Sequence, residues 1–198
     1  GEARREGFCE EKGGVGKSTL TFNLANNLRK NAKICIIDVD YQGSLYETKS
    51  LSEVDTFHIS ELQTAKDLQY DFAFVDTPPY LFDGAKELLQ MSDIIIVPIK
   101  AGIFDTLSVK RTIDQLKDFE CEKNALIVFN MVKHSTTLTE DIKEEVKDFG
   151  IDVSNNIISD LVAFTRSSLT NGVDDNKTAQ KQLDELTKEI LTKTLIKA

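Results

Sequence analysis

EEKGGVGKSTL, from Glu10 to Leu20, crowds three glycines ahead of a Lys-Ser-Thr run. Gly13, Gly14 and Gly16 allow the backbone to curl tightly, so that successive N–H groups turn inward toward an anion. A helix beginning near Lys17 adds its positive dipole end at the same spot. Lys17 then supplies a mobile ammonium for β- and γ-phosphates, and the Ser18 hydroxyl is a ligand for Mg²⁺. A glycine turn that merely precedes a helix does not account for G-K-S-T with an apolar strand ending in aspartate further along. The usual spacing G-x-x-x-x-G-K-[ST] would put its first glycine where Glu11 stands. A second lysine, Lys12, leads the block instead.

Outward from this loop, short apolar runs alternate with longer helix-period stretches, the mark of a parallel α/β sheet. Strands are expected at Lys33–Asp38, Phe72–Asp76, Asp93–Ile99 and Ala125–Asn130. They are continuous apolar runs, as fits strands covered on both faces. A short first strand is expected within RREGFCEE, although only Phe8 and Cys9 are apolar there. Helices are expected at Lys17–Lys30, Gly84–Met91, Asp105–Phe119, Thr137–Phe149 and Thr178–Lys193. Asp105 is a cap candidate, and Gly150 stands where a helix-ending glycine belongs. Gln42 to Leu68 reads as loop with a short helix. No internal repeat or low-complexity segment is present.

A length of 198 residues suits one domain, and an apolar share of 40% with 29% charged is an ordinary globular balance. Cys9, Cys35 and Cys121 are scattered without metal-ligand spacing and read as reduced thiols of a cytoplasmic protein. The longest apolar run, Ile94–Ile99, is far too short for a membrane span, and the N-terminus lacks the apolar core of a signal peptide. The net charge of −9 opposes a protein that coats nucleic acid by overall positive field. Asp38 to Ser92 holds eleven acidic and three basic residues, whereas Lys100 to Lys133 holds six basic and five acidic. Any basic patch is therefore local.

KGGVGKS, led by Lys12, resembles the deviant Walker A motif of the ParA/MinD family of ATPases. The resemblance continues through DVDYQGS (Asp38–Ser44), FAFVDTPP (Phe72–Pro79), ALIVFN (Ala125–Asn130) and ISDLVAFTRSSLTNGV (Ile158–Val173). It implies a P-loop NTPase-type fold, a mostly parallel sheet with helices on both faces, as one domain over 1–198 with no N-terminal helix-turn-helix. ATP and Mg²⁺ are the implied cofactors, the cradle being Gly13, Gly14, Val15, Gly16, Lys17, Ser18 and Thr19. Lys12 is implied to reach the phosphates of a partner's nucleotide across a dimer interface. Asp40 is implied to position and polarise the attacking water, and Asp38 to sit near the metal with Ser18 and Asp76, while Thr77–Pro79 senses the γ-phosphate. Asn130 is implied to contact adenine, which suits an amide because it offers a donor and an acceptor together. A strand-end turn former is its competing reading. Tyr41 replaces a common proline, an arginine common early in the Ile158 block is absent, and Arg166 stands where an acid is frequent.

Within the family, Ala179, Leu183, Leu186 and Ile190 form one helical stripe suited to packing on the chain's own domain rather than on a membrane. The primary expectation is a slow, partner-stimulated ATP hydrolase acting in plasmid or chromosome partition. It would form an ATP-dependent homodimer, bind DNA nonspecifically on the nucleoid, and respond to a ParB-like centromere-binding adaptor. Lys100, Lys110, Arg111 and Arg166 are candidate phosphate contacts, with surface solvation as the competing role for each. Alternatives are an orphan ParA/MinD-like ATPase that positions a protein assembly, and a nucleotide-dependent scaffold with little turnover. His58 and His134 belong to no acid–base constellation.

Overall fold

A computed structural model describes residues 4–8, 14, 16–40, 43–101, 103–133, 138–173 and 175–196. Its centre is one seven-stranded parallel sheet in the order β3-β2-β4-β1-β5-β6-β7. The strands are β1 (Arg4–Phe8), β2 (Ile34–Asp38), β3 (Asp55–His58), β4 (Phe72–Asp76), β5 (Ile94–Ile99), β6 (Ala125–Val132) and β7 (Asp152–Ser159). The helices are α1 (Lys17–Leu28), α2 (Ser44–Glu47), α3 (Leu62–Asp67), α4 (Ala85–Gln90), α5 (Ile103–Asp118), α6 (Leu138–Lys147), α7 (Val162–Thr170) and α8 (Lys177–Ile196). This is the α/β arrangement that the alternating pattern predicts.

Strand alternation divides the core between the two faces of the sheet. Ile36, Phe74, Ile94, Ile96 and Leu126 meet Leu20 and Leu24 of α1 and Leu183, Leu186 and Ile190 of α8. The intervening residues Ile95, Val97, Ile99 and Ile127 meet Val109, Ile113 and Leu116 of α5 and Val146 of α6. On that second face, Ile37 and Val75 pack with Leu62 of α3 and Leu88 of α4. The stripe Ala179, Leu183, Leu186, Ile190 is at most 2% exposed, so α8 spends its apolar face on its own domain as expected. Among the described residues, no helix is long and apolar enough to cross a membrane.

The expected first strand is present as β1; it carries the polar sequence RREGF, and backbone pairing to β4 and β5 defines it where side-chain pattern does not. Other expectations are corrected. The stretch from Gln42 to Leu68 contains a strand, β3, besides α2, α3 and two 3₁₀ turns (Lys49–Leu51 and Ile59–Glu61). β7 and α7 also exceed the expected elements, and β6 runs two residues past Asn130. α5 begins at Ile103, so Asp105 lies inside its first turn rather than at its cap. Gly150 does follow α6 in the left-handed region, φ 72°, with its N–H donating to the Lys147 carbonyl at 3.1 Å. Cys35 and Cys121 are buried, and burial pushes their thiols up to about 12 and about 11, so both are inert packing groups.

Candidate active site

The carboxyl ends of β2 and β4 lie side by side, with Asp38 and Asp76 as register partners. The head of α1 projects onto this edge. Gly16 adopts φ 81°, and the Leu20 N–H donates to its carbonyl at 2.9 Å. A side chain at 16 fails on space as well as backbone: its Cβ would stand 2.8 Å from Asn130 Nδ2 and 3.1 Å from Met131 Sδ.

Ser18 Oγ donates to Asp76 Oδ2 at 2.6 Å, and Thr21 Oγ1 donates to Asp76 Oδ1 at 3.4 Å. Thr21 Oγ1 is also 2.9 Å from the Lys17 carbonyl oxygen. Lys17 is 8% exposed and Asp76 1%. Burial pushes the Asp76 carboxyl up to about 7; the Ser18 hydrogen bond opposes this, the Asp38 charge adds to it, and the Lys17 charge opposes it. Asp38 is likewise raised, first by burial, while the N–H groups of Tyr46 and Asp40 pull it down. Two neighbouring buried carboxyls of this kind call for a cation. A hydroxyl and a carboxylate are hard oxygen donors that suit Mg²⁺. Among the described residues no three His, Cys, Asp or Glu side chains form a cage. Mg²⁺ commonly completes its shell with phosphate and water. Thr77, 4% exposed, adds a buried hydroxyl with no hydrogen-bond partner among the described residues.

Beside this polar edge lies a cavity of about 150 Å³ walled by Gly14, Gly16, Thr19, Asn130, Leu161 and Phe164, among others. The β6–β7 register shifts between Phe129 and Val132, and Met131 stands at φ 55°. Such a bulge re-aims side chains, and here Asn130 and Met131 lie against the phosphate-loop glycine. Sequence reading missed Asn23, which lines the same cavity at 1% exposure. Its Nδ2 donates to the Thr19 carbonyl at 2.8 Å, and its Oδ1 is buried without a partner among the described residues. The spacing Thr19–Asn23, one helical turn past the loop, was the available signal.

The structure thus brings together Gly14, Gly16, Lys17, Ser18, Thr19, Asp38, Asp40, Asp76 and Asn130 at one edge of the sheet. Lys12, Gly13 and Val15 lie outside the described residues, as do Cys9 and His134. The four basic candidates fall in two places. Lys100 follows β5, Lys110 and Arg111 sit on α5, and Arg166 sits on α7 across the sheet. Lys110 is moreover paired to Asp114 at 2.8 Å. His58 serves the local fold, since its Nδ1 accepts the Ser60 N–H at 3.3 Å and caps the short turn after β3.

Residues 7–173 match the model of the CobQ/CobB/MinD/ParA nucleotide binding domain. The maintenance of carboxysome distribution protein A of Halothiobacillus neapolitanus is 24% identical over 177 residues, covering 82% of each chain. The virulence plasmid ParA family protein of Chlamydia psittaci is 27% identical, covering 94% of this chain and 93% of its own. A plasmid partition protein of Borrelia burgdorferi bound to AMPPNP superposes with a TM-score of 0.74 at 22% identity over the whole of both chains.

Proposed function

The chain belongs to the CobQ/CobB/MinD/ParA nucleotide binding domain family, and from that membership we propose a ParA-type ATPase that couples ATP binding and hydrolysis to partition. The observation that carries the reading is the Ser18–Asp76 hydrogen bond at the head of α1. It joins the phosphate loop to the strand-end carboxylate on which a Mg²⁺·ATP site depends.

In this reading Lys17 and the N–H groups at the start of α1 bind the β- and γ-phosphates. Ser18 and Asp76 would hold Mg²⁺, which when bound would offset phosphate charge. Asp40 orients the attacking water and draws its proton, Thr77 contacts the γ-phosphate side, and Asn130 and Asn23 line the nucleoside end. Lys12 crosses to a second copy, making the dimer depend on the γ-phosphate. The working unit is then a pair of such domains, each over 1–198 of this sequence, with a partner protein to speed turnover.

Two cargoes follow from the two relatives, a plasmid and a protein assembly. The split basic candidates and the net charge of −9 favour the protein assembly as a second reading. One pair of measurements tests both levels. Phosphate release should require Mg²⁺ and vanish in Asp40→Ala while nucleotide still binds. Turnover unchanged in that variant would remove Asp40 from the role. ATP-dependent duplex binding that weakens steeply with salt would identify a DNA carrier. Binding absent at low salt, or equal with ADP, would leave the protein-cargo reading.

A further inference from the structure

Asp38 ends β2 with 0% exposure, and both of its carboxylate oxygens are engaged by backbone. Oδ1 accepts the Asp40 N–H at 3.0 Å and Oδ2 accepts the Tyr46 N–H at 3.0 Å. Between these two anchor points the Gly43 N–H donates to the Asp40 carbonyl at 2.8 Å, with Gly43 at φ 59°. One carboxylate therefore holds Asp40 and the first turn of α2 at once. The far side of Tyr46 is held as well. Its ring meets His58 edge-on at 5.7 Å between centroids, and Lys49 Nζ lies 3.8 Å above it. His58 is in turn the β3 register partner of Asp38.

We propose that Asp38 is a positioning residue: its carboxylate fixes the backbone at Asp40 and at Tyr46 so that Asp40 faces the γ-phosphate, and the metal is held without it. The proposal rests on the ATPase reading only for the purpose of the clamp; the clamp itself is a property of the polypeptide. Backbone N–H bonds to a carboxylate are charge-assisted, and two of them fix a turn far better than one. Asparagine at this position would offer one acceptor oxygen and would turn N–H donors against one of the two amides. A direct metal ligand would instead give Asp38 the same part as Asp76, whose oxygens face the hydroxyls of Ser18 and Thr21.

Asp38→Asn separates these roles through amide hydrogen exchange and through calorimetry of Mg²⁺ with ADP. The Asp40 and Tyr46 amides should exchange about tenfold faster or more in the variant. Mg²⁺ affinity should stay within about twofold of the parent, while Asp76→Asn should lose at least about tenfold. Phosphate release should fall with KM unchanged. Mg²⁺ affinity that falls as far as in Asp76→Asn, with Tyr46 still protected, would overturn the proposal. Should Asp38→Asn fail to fold, the parent protein without metal or nucleotide decides: Asp40 and Tyr46 amides protected support the clamp, and amides exchanging as fast as unbonded loop positions refute it. If the parent binds no nucleotide at all, the ATPase reading falls, and the exchange arm still judges the clamp.

Discussion

Lys17 is a lysine with 8% of its surface exposed at the mouth of a helix, an arrangement that makes sense when an anion shares the site. At a separation of about 4 Å and an effective dielectric near 20, one charge pair is worth on the order of 4 kcal/mol. Lys17→Ala should therefore weaken ATP binding by at least about a hundredfold, read by calorimetry; unchanged affinity would remove the phosphate role. Asp76 makes a second, pH-dependent prediction. Its folded value of about 7 lies above the ordinary 3.8, so the native state keeps a proton that the unfolded chain releases. Its contribution is most favourable in acid and is lost as pH rises toward about 7, by up to about 4 kcal/mol. Asp38 is shifted in the same direction. Without metal, Asp76→Asn should gain stability relative to the parent on going from pH 5 to pH 8 in denaturant titrations, and Mg²⁺ with nucleotide should shrink that gain. An equal difference at both pH values would refute the burial account.

At the scale of elements, α8 packs through one apolar face, flanked by polar ties such as Asn27 Nδ2 donating to Asp184 Oδ1 at 3.1 Å and Asn156 Nδ2 donating to Glu189 Oε2 at 2.6 Å. Leu186→Ala, at a position with 0% exposure, should cost about 2–5 kcal/mol by denaturant midpoint. Leu195→Ala, at 58% exposure on the same helix, should change stability by no more than about 0.5 kcal/mol. Equal losses would mean that the helix end packs as tightly as its middle. The strands β2, β4, β5 and β6 were readable because burial on both faces forces unbroken apolar runs. The edge strands β3 and β7 were not, since one flank of each lacks a neighbour and DTFH and DVSNNIIS lose the pattern. β1 was expected within RREGFCEE only because a strand should precede the glycine-rich loop; RREGF itself lacks the apolar pattern, and pairing to β4 and β5 supplies the ladder. In the site, Lys17, Ser18, Asp38, Asp76 and Asn130 were legible because each sits in a motif or at a strand end. Asn23 was harder, because its spacing from Thr19 was the only cue and the unpartnered oxygen that gives it meaning emerges only on packing.

For the molecule as a whole, Lys12 makes a prediction that the resemblance alone supplies. Lys12→Ala should still bind ADP and should lose ATP-dependent dimerisation by light scattering. Mixing it with Asp40→Ala should restore partial hydrolysis in heterodimers, where one site has its own Asp40 and a lysine from its neighbour. Dimerisation at the parental level in Lys12→Ala would end the trans assignment. The sheet order also bears on how the polypeptide comes to be assembled. Arg4 pairs with Phe72, and Glu6 pairs with Ile94, so β1 is flanked only by strands made much later than itself. Such distant closures are slow and cannot begin on a short nascent chain. β2 and β3, by contrast, adjoin each other and can pair as soon as both have emerged. A ribosome-bound fragment that stops short of β4 carries the whole glycine-lysine motif yet has neither Asp76 nor a seat for its leading strand. Any nucleotide site that needs Asp76 therefore cannot be complete before β4 has been made.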